Sequence, residues 1–360
     1  MKKKIRLVYM VLLAVLCLSG CRKSKTADKD AIVPVEKVTK IPDMASPSPA
    51  VKADKHKGQV RSWLTGEWVS KKLAGKRPYA IMINNIKAAS PQWGTSQASI
   101  LYEAVVEGGI TRMMGIFQNF DSRRIGSTRS ARHYFVSFAD EYDAIYVHFG
   151  QTKYAAAKIK ELGVNNLSGL SSLGDTVFYR DPSIKAPHNA FTSAKGVKDG
   201  TKAAGYRTKL RDKVNKFQFH ARDTGIEGTS AKKVTLGYSS YTQPYFTYNE
   251  KTKKYERYQF GEKHIDKSTG KQLAFKNIII QVVEEWDIDK NGYQTMDINN
   301  TTGEGYYITD GKAAKITWKK NEKNKERVYY DEDGKELKLN TGKTFISIFP
   351  KKRLSTLLIA

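Results

Sequence analysis

Beyond residue 21 the chain contains no cysteine, so the folded part can hold no disulfide, no thiol nucleophile and no cysteine-ligated metal. It also lacks any apolar run of the roughly 17 to 25 residues that a helix needs to span a bilayer. The longest, Leu7 to Leu18, has 12 residues. Closely spaced histidines are missing too, so His148 and His188 do not define a zinc site, and no motif calls for a cofactor. Acidic residues are few, 36 against 62 lysines and arginines, and the formal net charge is +26. That excess points to anionic surroundings such as acidic lipid head groups or phosphate-rich wall polymers.

What is present at the N-terminus is an export signal. Lys2, Lys3, Lys4 and Arg6 form a basic region, Leu7 to Leu18 an apolar one, and Leu18-Ser19-Gly20-Cys21 matches the bacterial lipobox. The match implies diacylglycerol attachment to Cys21 and cleavage before it. Residues 1–20 are then a signal peptide, and a stable two-chain anchor holds the protein in the cell membrane on its extracytoplasmic face. Cleavage removes four positive charges and leaves +22. Export argues against nucleic acid as a partner, although nucleic acid is the common partner of so basic a chain.

Residues 21–59 are rich in Lys, Asp, Ala, Ser and Pro, with SPSPA at 46–50 and no apolar period, and read as a disordered tether with a reach of about 35 Å. Order is expected from Trp63. Strands at 79–84, 111–120 and 144–149 alternate with helices at 96–106, 130–142, 154–162 and 192–204, and a short strand is expected at 177–179. This alternation indicates an α/β domain over 60–220 with a polar cleft. From 230 to 352 helical periodicity disappears, and runs such as NIIIQVVEEW, GEGYYITDG and TFISIFP indicate a mainly antiparallel β domain, separable from the first. Asp287, Asp289 and Asn291 copy half of a calcium loop, but Ile298 stands where its glutamate belongs, so a hairpin turn at Asn291-Gly292 is expected instead.

RPYAIMINN, SPQWGTSQASILYEAVVEGGITRMMGIF, IGSTRSARHYF, IYVHFG, APHNAF, GEGYYITDGKAAKITW and GKTFISIFP together resemble the YerB-like lipoprotein family, two-domain exported proteins of Gram-positive bacteria. The resemblance covers nearly everything after the tether. It implies no particular chemistry, but it marks a set of polar positions as the family's pattern. These are Asn84 and Asn85, Glu103 and Glu107, Gly108 and Gly109, Thr111 and Arg112, Arg129, Ser130 and Arg132, then His148, Arg180, Pro187, His188 and Asn189.

If the sheet is parallel, ligands belong beyond the carboxyl ends of its strands, where Asn84, Asn85 and His148 are expected. Arg129 and Arg132 would flank a helix N-terminus opened by Ser130, a place suited to phosphate or carboxylate. Glu103 and Glu107, i and i+4 on the expected 96–106 helix, could serve as an acid/base pair or as ion-pair partners of those arginines. Three readings follow: an anchored envelope protein that binds an anionic wall polymer or peptidoglycan, an envelope hydrolase using Glu103 or Glu107, and a docking scaffold for wall-synthesis proteins.

Overall fold

The computed structural model describes residues 56–211, 217–321, 323 and 325–360. The expected signal peptide, Cys21 and the expected tether as far as residue 55 lie outside the described residues.

Most long apolar runs become strands of one sheet. In the first half these are β1 (Tyr79–Asn85), β2 (Ile100–Val105), β3 (Thr111–Phe117), β4 (Ile145–His148) and β5 (Asn166–Ser168). Three helices of nine or ten residues accompany them: α1 (His133–Glu141), α2 (Lys153–Leu162) and α3 (Ala194–Ala203). Helix α2 is capped by the Thr152 hydroxyl and α3 by the Ser193 hydroxyl, as their sequences require. The second half adds β6 (Thr229–Ser230), β7 (Asn277–Val283), β8 (Thr301–Thr309), β9 (Lys312–Asn321), β10 (Glu326–Tyr330) and β11 (Thr344–Pro350). The first half is α/β and the second mainly antiparallel β, in keeping with the two periodicities.

The 11-stranded sheet runs β6-β9-β8-β7-β11-β2-β3-β1-β4-β5, with β10 on the outer side of β9. Strand β11, nearly the last of the chain, lies between the halves. It pairs in parallel with β7 through Asn277↔Thr344 to Val283↔Pro350, and in parallel with β2 through Thr344↔Ile100 to Ile348↔Ala104. Every residue of β1, β2, β3, β7 and β11 is buried, as expected for central strands covered on both faces. The segments 60–220 and 230–352 are therefore distinct along the chain but share one sheet.

Two cores cover the two faces, and each draws on both halves. One gathers Tyr102, Phe135, Phe138 and Tyr146 with Tyr307, Trp318 and Tyr329. The other gathers Leu101, Val105, Ile83 and Val197 with Phe246, Tyr255, Ile278 and Phe345. Glu141, at the end of α1, reaches into the second half, where its buried carboxylate accepts from Lys320 Nζ and Arg327 Nη2, each at 2.6 Å.

Residues 96–106, expected as a helix, contain β2 instead. Ile100, Tyr102 and Ala104 enter the first core while Leu101 and Val105 enter the second, so the segment alternates between faces. An apolar run filled at both strand phases also satisfies i, i+3, i+4, and only the neighbouring strands decide between the two.

Candidate functional site

Strand β1 ends in Asn84 and Asn85 at the carboxyl edge of its parallel pairing with β4, where a polar crevice is expected. Asn85 Nδ2 donates to Glu103 Oε1 and Thr111 Oγ1, both at 2.8 Å. The Glu103 carboxylate also accepts from Thr111 Oγ1 at 2.6 Å and from Arg257 Nη2 at 2.7 Å, and neither charged side chain has any exposure. Arg257 in turn donates to His264 Nδ1, and His264 Nε2 to the Gln92 side-chain oxygen. Gln92 Nε2 donates to the Asn84 carbonyl at 2.9 Å, which closes a buried circuit on the strand where it began. Burial, reinforced by the Arg257 charge, pushes the His264 imidazole well below its ordinary range, and a neutral ring is what a donor on one nitrogen and an acceptor on the other require.

Glu103 is thus a structural anion. It lies on β2, whereas Glu107 lies in a three-residue turn, Glu107–Gly109, so the two do not share a helix face. The turn requires left-handed backbone at Gly108 and Gly109, with φ of 67° and 69°. The Glu103 carboxylate is enclosed by Asn85, Thr111 and Arg257 and has no exposed surface.

Glu107 belongs to a second cluster. Arg132 Nε and Nη2 grip its carboxylate bidentately, the latter at 2.5 Å, and Arg112 Nη2 lies 3.9 Å away. Burial pushes the Glu107 carboxyl up, but the Arg132 hydrogen bonds and charge outweigh it and hold the group below the usual range. Arg112, from β3, donates to the Ser130 carbonyl at 2.6 Å, and Arg129 Nη1 to the Pro187 carbonyl at 3.3 Å. No carboxylate among the described residues pairs with Arg129. Burial and the nearby Arg132 push the Arg112 guanidinium down to about 9, and the same two causes lower Arg129. Helix α1 begins here with Arg132 as its N-cap residue and no side-chain cap, so Ser130 lies before the helix and contributes its carbonyl. Two guanidinium groups meet the one carboxylate of Glu107 beside a helix N-terminus, and Arg129 adds a third positive charge nearby.

The other expected positions fall around this cluster or apart from it. His188 Nδ1 contacts Asn84 Nδ2 at 3.0 Å, and burial followed by the Arg129 charge lowers its pKa. Asn189 accepts from Arg180 Nη1 at 2.7 Å on the same loop, where the Arg180 guanidinium stacks over Phe149. His148 is sealed elsewhere, its nitrogens facing the Gly150 carbonyl at 2.8 Å and Asn166 Oδ1 at 3.1 Å. Glu103, Arg129 and His148 therefore do not form one cleft. Asp289 caps the Asn291 N–H at 2.9 Å and accepts from the Tyr154 hydroxyl at 2.8 Å, so the half calcium loop is used as a hairpin turn. Among the described residues no group of three or more His, Cys, Asp or Glu is arranged to hold a metal ion, and no helix is long and apolar enough to cross a membrane.

Sequence reasoning missed Arg257, His264 and Gln92. The signal was faint: Tyr255, Arg257 and Gln259 alternate with Glu256 and Tyr258, so either face of that strand could have been the buried one. A recess of about 850 Å³ lies elsewhere again, on the second half between β8 and the 351–354 segment, and is lined by none of the expected polar positions.

Residues 64–207 match the N-terminal domain, and residues 234–346 the C-terminal domain, of a family described as "Protein of unknown function (DUF3048)". The unmatched stretch between them contains the compositional boundary read from the sequence. The chain is 33% identical over 294 residues, 81% of its own length and 87% of the relative's, to the Bacillus subtilis (strain 168) protein named "Putative lipoprotein YerB". The crystal structure of the YerB protein from Bacillus subtilis superposes with a TM-score of 0.76 at 31% identity, covering 84% of this chain and 99% of that one.

Proposed function

The chain belongs to the DUF3048 family of YerB-like lipoproteins, and on that premise we propose that it is an envelope-anchored protein that binds an anionic envelope polymer. The observation that carries this reading is that Arg112 and Arg132 share the single carboxylate of Glu107 while nearby Arg129 meets only the Pro187 carbonyl, which leaves two positive charges in excess at an uncapped helix N-terminus. Arginines that raise one another's free energy gain from an added anion, and a phosphate or carboxylate group complements their planar donors. Arg129 is the group that faces a ligand. It is only partly buried and spends one bond on a backbone carbonyl, whereas Arg112 and Arg132 are buried and hold the Ser130 loop and Glu107. Neither glutamate supplies a free acid, so hydrolase chemistry at Glu103 or Glu107 gains no support from the geometry.

A charge-assisted hydrogen bond contributes roughly 1.5 to 3 kcal/mol, so Arg129→Ala should weaken binding of a purified phosphate-bearing wall polymer about 10- to 100-fold. Its melting temperature should stay close to that of the parent. Binding measured by calorimetry at two salt concentrations checks this. An affinity unchanged by the substitution refutes the assignment and favours a surface that only docks proteins.

Anchoring is tested separately. Cys21→Ala should move the protein out of the membrane fraction and abolish acyl labelling, because the lipid is the anchor in this reading. Unchanged fractionation together with unchanged labelling would disprove it.

A further inference from the structure

A recess of about 230 Å³ opens against the His264 end of the buried circuit, and its construction points to a ligand independent of the arginine cluster. Its floor is Gln259 and His264, 4% and 3% exposed, and its rim carries Lys87, Glu262 and Lys263. Pro91, Phe260 and Ile265 supply apolar wall.

The floor is polar and incomplete. Gln259 Oε1 accepts from Arg257 Nη2 at 2.8 Å, which fixes the orientation of the amide. Its Nε2 then carries two N–H donors, is buried, and has no hydrogen-bond partner among the described residues. A buried donor left unmade is costly, and it persists where something outside the chain completes it. His264 cannot do so, because both its nitrogens are engaged by Arg257 and Gln92. At the rim neither lysine is ion-paired among the described residues, and with Glu262 they leave one positive charge.

We infer that this recess between the Lys87–Pro91 loop and the Gln259–Ile265 hairpin binds a small carboxylate-bearing ligand, the carboxylate accepting from Gln259 Nε2 and facing Lys87 and Lys263. The volume suits a molecule of amino-acid to dipeptide size, with its aliphatic part against Phe260 and Pro91.

N-acetylglycine is the probe, with N-acetylglycinamide as its uncharged control, titrated into the purified chain and followed by calorimetry. The carboxylate should bind in the millimolar range, and the amide at least about tenfold more weakly. Gln259→Glu is the decisive variant. It retains an acceptor for Arg257 but replaces the Nε2 donor with a negative oxygen and should cut binding by about 10- to 100-fold in the folded variant, while Lys87→Ala, at the exposed rim, should leave the buried circuit and the melting temperature unchanged. Lys87→Ala should weaken binding severalfold. No saturable binding of N-acetylglycine, equal affinity for the amide, or unchanged affinity in Gln259→Glu would each overturn the assignment, and would mean that water completes the donor.

Discussion

Replacing Arg257 by alanine should destabilise the folded chain by about 3 to 5 kcal/mol, the scale on which a fully buried ion pair fails when one partner is removed. The carboxylate of Glu103 would keep the Asn85 and Thr111 donors and lose the one cation paired with it among the described residues, with no exposure through which water could replace it. His264 Nδ1 and Gln259 Oε1 would lose a donor in the same step. For a folded unit of this size the corresponding fall in melting temperature is roughly 10 °C. Glu103→Ala should cost a comparable amount, stranding the guanidinium instead. Thermal and urea unfolding of both variants are the measurements, and a loss below about 1 kcal/mol in either would show that the pair is hydrated rather than sealed.

Neither half should fold when expressed alone. Severing the chain between 220 and 230 leaves β2 without β11 on one fragment, and β11 and β7 with an open central edge on the other. An exposed, fully apolar central strand is an aggregation template rather than a stable surface. Both cores would lose one wall, and the buried Glu141 would part from Lys320 and Arg327 as Glu103 would from Arg257. The intact chain should therefore unfold in one calorimetric transition. The fragments 60–220 and 230–360 should show no cooperative unfolding separately and should regain it when co-expressed. A cooperative transition from 230–360 alone would refute the shared-sheet account of its stability.

Much of the local structure was legible. The runs 79–84, 111–120 and 144–149 read as strands because they are short, rich in apolar residues and bounded by polar ones, and strands form there over 79–85, 111–117 and 145–148. Thr152 and Ser193 mark helix starts because each hydroxyl meets an N–H three residues on. The arginine-rich segment was legible as a cation cluster at a helix start, because residues 129 to 132 are adjacent in the chain and need no tertiary contact to come together.

Which carboxylate meets which arginine was not legible. Glu103 and Glu107 are four residues apart, yet a strand and a turn send one to Arg257, 154 residues away, and the other to Arg132. The expected export signal and lipobox cysteine, the positive charge and the change from mixed to strand periodicity depend only on residue order and composition. The joining of the halves through β11, the burial of the Glu103–Arg257 circuit and the unmet donor of Gln259 depend on contacts between segments far apart in the chain, such as Thr344 with Ile100 and Arg257 with Glu103. An apolar run such as ILYEAV or TFISIFP states that it will be buried, but hydrophobicity is non-directional, so the partner that buries it is chosen only when the sheet assembles.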